Sequence, residues 1–200
     1  MTLPRTLLQM AGVASAPGRI EDAALILIDC QREYLDGKLV LPRVGPALAE
    51  AGRVLALARR AGAAVIHVVH HAAAGSGVFD PQGPFVEIAD PVRPLDGEAV
   101  VIKGKPNAFA GTELDMRLKA LGKKELIVVG FMTHMCVSST VRAALDLGYR
   151  STVVANAAAT RDLPDGRGGV VDAETLHRAE LAGLADRFAT VVDSAAAWGG

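Results

Sequence analysis

The sequence is poor in the groups that mark several common functions. Its 200 residues hold only 5 Phe, 2 Tyr and 1 Trp, too few for a platform that stacks single-stranded bases. There are 21 basic and 22 acidic residues, for a formal net charge of −1. The closest things to basic clusters are Arg59-Arg60 and Lys123-Lys124. That excludes the concentrated positive footprint of a nucleic-acid binder. The two cysteines, Cys30 and Cys136, form no C-x-x-C, so neither a disulfide framework nor a zinc site is implied. A reducing, cytoplasmic compartment fits that usage. No apolar run approaches the roughly 18 residues of a membrane span, so no membrane association is expected. The G-x-S-x-G elbow and the phosphate-binding G-x-x-x-x-G-K-[ST] are also missing.

What is present is a strict alternation of strand and helix signals. Residues 1–17 make a poor signal peptide, because Gln9 interrupts the apolar run and Pro17 follows the Ala14-Ser15-Ala16 triplet. We read residues 1–20 as an N-terminal arm lying on the domain or on a partner subunit. "AALILID" (23–29) is a continuous apolar run, as in a strand buried on both faces. Val44, Leu48, Ala51, Leu55 and Ala58 recur at helical spacing up to Gly62. Further strands are expected at 63–69, 98–103, 125–130, 151–157 and 188–193. Helices are expected after Thr112, after Cys136 and over 172–187. The Gly/Pro-punctuated stretch 70–97 reads as a long functional loop. The pattern predicts one α/β domain over residues 1–200, a three-layer α/β/α, Rossmann-like fold on a six-stranded parallel sheet.

In such a sheet, ligands gather beyond the carboxyl ends of the strands. Asp29 ends the first strand, Lys103 the third, and Cys136 opens the helix after the fourth. A carboxylate, an ammonium and a thiol should therefore meet at one edge. A helix N-terminus and a lysine lower a thiol's pKa, and a carboxylate can relay its proton. Alone, each residue has an ordinary structural role; together they form the parts of an activated sulfur nucleophile. Cys30 should point away from Asp29 and be structural.

"LILIDCQREYLDG" (25–37), "VIKGKPNAFAGTEL" (101–114) and "VVGFMTHMCVSSTVRAALDLGY" (128–149) resemble, in order, the three signatures of the isochorismatase-like cysteine hydrolases. The resemblance implies that family's fold and hydrolysis of small amides, carbamoyl compounds or a vinyl ether. It assigns the Asp, Lys and Cys triad to Asp29, Lys103 and Cys136, and favours Lys103 over Lys105. It also implies a cis peptide between Phe131 and Met132, and an oxyanion hole from the N–H groups of Met132 and Cys136. Tyr34, Phe109, Phe131 and His134 are candidate substrate contacts, and Gln31 a supporting hydrogen-bonder. His70 and His71 are candidates to line the pocket. The metal-binding Asp-x-His of nicotinamidases is missing from "VIHVVHHAAAGSGVFD", so no metal and no cofactor are expected. His67 and His177 read as packing residues. Retention of Cys136 favours C–N hydrolysis through a thioester over vinyl-ether hydrolysis or a non-catalytic binding role. Expected partners are a small-molecule substrate and further copies of the chain, as a dimer or higher homo-oligomer.

Overall fold

The computed structural model describes residues 3–13 and 16–199. Part of the Ala14-Ser15-Ala16 triplet therefore lies outside the described residues. In chain order the elements are α1 (Leu7–Met10), β1 (Ala23–Ile28), α2 (Val44–Arg60), β2 (Ala64–His70), β3 (Ala99–Lys103), α3 (Leu114–Ala120), β4 (Glu125–Phe131), α4 (Ser138–Asp146), β5 (Arg150–Ala159), β6 (Leu163–Pro164), β7 (Val170–Val171), α5 (Ala173–Arg187) and β8 (Ala189–Val192). Six strands form one sheet in the order β3-β2-β1-β4-β5-β8, every pair parallel. The short β6 and β7 pair antiparallel by themselves.

The unbroken apolar run of β1 has a direct cause. Alternate side chains serve two cores. Ala23, Leu25 and Leu27 face the layer that holds Ala47, Leu48, Ala51, Val54 and Leu55 of α2. Ala24, Ile26 and Ile28 face Leu114 and Leu118 of α3, Val141 and Ala144 of α4, and Leu184 of α5. Each fully buried Leu, Ile or Val among them stabilises the fold by about 1.5–3 kcal/mol, and each Ala by less. Helices thus cover both faces, which is the three-layer architecture expected.

The strand order reverses between β1 and β4, and a crevice opens beyond the carboxyl ends of those neighbours. Gly130 shapes it. Its φ is +114°, and a Cβ there would lie 2.0 Å from the Ile28 carbonyl oxygen. The β4–β5 register shifts between Val128 and Gly130, and the peptide between Phe131 and Met132 is cis.

The arm lies on α5: the Leu7 N–H donates to Asp186 Oδ1 at 2.8 Å. Three sequence expectations need adjusting. β1 stops at Ile28, and Asp29 follows at φ +50°. Glu113, not Thr112, is the N-cap of α3, although the Thr112 hydroxyl still accepts from the Leu114 N–H at 3.3 Å. Cys136 does not open the α-helix; a π-helical turn, Thr133–Val137, carries it and precedes α4.

Candidate active site

Asp29, Lys103 and Cys136 come from three different strand ends and meet in the crevice. Lys103 Nζ lies 2.7 Å from Asp29 Oδ2, and neither side chain has any exposed surface. The same ammonium donates to Cys136 Sγ at 3.4 Å, and Cys136 is itself buried. Lys103 and the Cys136 thiol both reach the Asp29 carboxylate. Lys105, the alternative lysine, is exposed.

Burial governs the proton positions. It pushes the Asp29 carboxyl up to about 6, with the Lys103 charge pulling back. It also pushes the Cys136 thiol up, to about 12, and the negative charge of Asp29 adds to that shift against Lys103. This reverses the sequence expectation of a thiol lowered by lysine and helix end. Desolvation of the thiolate outweighs one ammonium. The resting pair at neutral pH is then carboxylate and thiol.

The remaining candidates take different places. Gln31 is fully buried and stitches the site. Its Nε2 donates to the carbonyls of His70 (3.0 Å) and Val86 (2.7 Å), and its Oε1 accepts from the His70 N–H (2.8 Å). That ties the ends of β1 and β2 to the 70–97 loop. Tyr34 packs edge-on against Phe79 and Phe131, and burial, with the charge of Asp29 adding to it, pushes its phenol up. Phe131 has no exposed surface and packs edge-on against Tyr34. Phe109 stacks on Tyr149 at 5.7 Å, in the core layer that also holds Cys136. His134 Nδ1 is hydrogen-bonded to Thr160 Oγ1, fastening the π turn to the end of β5.

His70 comes within 3.3 Å of Lys103 Nζ through Nδ1. Burial, reinforced by the lysine charge, pushes its pKa down to about 4. His71 is half-buried, and its N–H donates to the Lys103 carbonyl. His67 is buried against Glu98 at 3.0 Å. His177 meets the Thr133 hydroxyl at 2.8 Å, joining α5 to the turn that bears Cys136. Cys30 is buried in the α2-side core, and its thiol points to the Ile28 carbonyl. Among the described residues no cluster of three or more His, Cys, Asp or Glu has metal-holding geometry. β5 runs to Ala159, two residues beyond the sequence expectation, so Thr160, which holds His134, lies just past its carboxyl end.

The comparisons with known proteins agree with this fold. The family model described as the isochorismatase domain matches residues 23–196. The secreted isochorismatase effector of Verticillium dahliae is 38% identical over 185 residues, covering 92% of this chain and 95% of that protein. The crystal structure of an isochorismatase from Pseudomonas putida superposes with a TM-score of 0.91 at 44% identity, over 97% of this chain and 99% of that one. N-carbamoylsarcosine amidase from Thermoplasma acidophilum superposes with a TM-score of 0.72 at 27% identity, over 87% and 97%. With the fold and nearly the full length of the sequence in common with these proteins, this chain is a hydrolase of the isochorismatase family.

Proposed function

We propose that the chain hydrolyses a small amide or carbamoyl C–N bond, with Cys136 as nucleophile, Asp29 as proton carrier and Lys103 as the charge that holds both. One observation carries the reading: a buried ammonium within 2.7 Å of a carboxylate and 3.4 Å of a thiol. Such a trio is costly to bury, and chemistry at the thiol gives it a use. Asp29 accepts the Cys136 proton as sulfur attacks the carbonyl carbon. The N–H groups of Met132 and Cys136 hold the oxyanion. Collapse breaks the C–N bond, and Asp29 returns the proton to the departing nitrogen. A thioester is left on Cys136, and water, deprotonated by Asp29, releases the acid and the thiol. The amidase among the structural neighbours supports the C–N reading.

Vinyl-ether hydrolysis with Asp29 as acid is the second reading, favoured by the isochorismatases among the relatives and by the raised carboxyl. A screen of small amides, carbamoyl compounds and isochorismate-like ethers separates the two. We expect turnover of a C–N substrate, a mass increase on Cys136 under rapid quench, and loss of both in Cys136→Ala. Unaltered turnover by Cys136→Ala removes the thioester route.

We read residues 1–200 as one domain, in a reducing compartment, because both cysteines are free and buried. No helix of the described residues is long and apolar enough to cross a membrane. A homo-oligomer is supported by the outermost strand, β3, which exposes Val100 and Ile102 (42% and 56%). Light scattering after gel filtration tests it, and a monomer at working concentration removes it.

A further inference from the structure

His177 takes a place where the pattern of α5 asks for an apolar side chain. It stands four residues before Leu181, on the face that Leu181 and Leu184 bury. Its ring instead meets the Thr133 hydroxyl at 2.8 Å through Nδ1. Thr133 has no exposed surface, and His177 is the one hydrogen-bond partner of its hydroxyl among the described residues. Burial lowers the His177 pKa, with the Arg43 charge adding to it and the Ala155 carbonyl and Glu174 opposing. The ring is therefore neutral at neutral pH, so its Nδ1 can accept the Thr133 proton.

Thr133 opens the π turn that carries Cys136. The turn wraps around one carbonyl, that of Met132, which accepts from the Met135 N–H at 3.0 Å and the Val137 N–H at 3.2 Å. A π turn is a rare geometry, and so few internal bonds do not fix it against the α-helical form that follows in α4. Two side-chain ties hold it from outside: His134 to Thr160, and Thr133 to His177. Both outer partners, Thr160 and His177, line one cavity of about 610 Å³, walled also by Arg43 and Ala47 of the α2 end and by Ala173 of α5.

Resting on the reading of Cys136 as the nucleophile, we infer that His177 is a positioning residue: through Thr133 it holds the π turn so that the Met132 and Cys136 N–H groups converge on the oxyanion. Thr133 lies between those two N–H groups in the chain, so a shift of its side chain moves one relative to the other. A misplacement of about 1 Å at a reacting centre costs on the order of a hundred-fold in rate. His177 acts through the turn and not at the reacting atoms.

Two thiol reagents separate this role from general packing. p-Nitrophenyl acetate acylates Cys136 through an oxyanion: sulfur bonds to the carbonyl carbon, the thiol proton passes to Asp29 and p-nitrophenolate leaves. Iodoacetamide alkylates the same sulfur with loss of iodide and forms no oxyanion. In His177→Ala the acylation rate should fall about ten- to a hundred-fold, while alkylation keeps its rate. Thr133→Val should lose as much, and the double variant no more than either alone. His177→Asn, whose side-chain oxygen can replace Nδ1, should keep most of the acylation. Unchanged acylation in His177→Ala, equal losses in both reactions, or multiplied losses in the double variant overturns the proposal. His177→Ala should fold, because the lost ring widens a cavity that already exists. If it does not, Thr133→Ser and Thr133→Val carry the test: the serine variant keeps the acylation rate, the valine variant loses it, and equal rates overturn the tie. The nucleophile reading has its own readout in the unmutated protein. If Cys136 is acylated there no faster than Cys30, that reading fails and takes this one with it. If Cys136 is acylated and His177→Ala keeps pace, the positioning role alone fails.

Discussion

Lys103 and Asp29 form an ion pair at 2.7 Å with both side chains sealed from solvent. Removing the ammonium leaves a carboxylate that burial already disfavours. Lys103→Met should therefore cost about 3–5 kcal/mol at pH 8. The loss should shrink at pH 5, where the unpaired carboxyl is protonated, and Asp29→Asn added to Lys103→Met should recover part of it. Urea unfolding at the two pH values checks this; an equal loss at both would show that Lys103 acts through packing alone.

The pH profile follows from the same carboxyl. Asp29 must be ionised to take the thiol proton, and burial raises it to about 6. The ratio kcat/KM should therefore rise through about pH 6 and then level. For stability the sign is the opposite. The folded chain holds this proton more tightly than the unfolded one, so the contribution is present below about pH 4 and is lost as pH climbs through about 6. His70, pushed down to about 4, does not set the limb. His70→Gln should leave its midpoint in place, and a midpoint that moves by a full unit would transfer the titration to the histidine.

Gly130→Ala should be among the most damaging single-methyl additions in the chain. The φ of +114° and a Cβ 2.0 Å from the Ile28 carbonyl oxygen leave no room without moving β1 or β4. A loss of about 2–4 kcal/mol is expected, with activity falling further than stability, because the Asp29 end of β1 and the Cys136 turn both shift. Melting temperature and turnover measured together decide it; a variant as stable as the parent contradicts the close approach.

Gln31→Leu removes partners from three backbone groups at once, the His70 N–H and the carbonyls of His70 and Val86. Unsatisfied buried groups of this kind cost about 1–3 kcal/mol each. We expect a loss of at least ~2 kcal/mol and faster amide exchange at His70 and in the 70–97 loop. Exchange that stays slow there would show that the loop is held by other contacts.

The sheet and the trio at its edge were legible because they rest on local signals. Continuous apolar runs mark strands buried on both faces, and the strand-end rule then singles out Asp29, Lys103 and the turn before α4. The state of the thiol was not legible. A helix end and a lysine are visible in a string of letters, whereas the desolvation that overrides them depends on how the crevice closes around Cys136. The π turn escaped for a related reason: Thr133–Val137 and an α-helical first turn present the same residues, and what distinguishes them is the backbone bond from the Val137 N–H to the Met132 carbonyl at 3.2 Å. Gln31 was legible as a supporting hydrogen-bonder, but its partners were not, because the His70 and Val86 groups it holds lie far along the chain.

Lys103 hangs from the outermost strand, whereas Asp29 and Cys136 hang from the two at the centre. β3 is paired on one side only, through Ile66↔Ala99 to His70↔Lys103. Edges fray before middles do. On warming, the ammonium should drift from its two partners while the inner sheet is still whole. Turnover would then vanish in a chain that remains folded by every global measure, and a neighbour clasping that free border would act as a thermostat for the chemistry without touching the substrate.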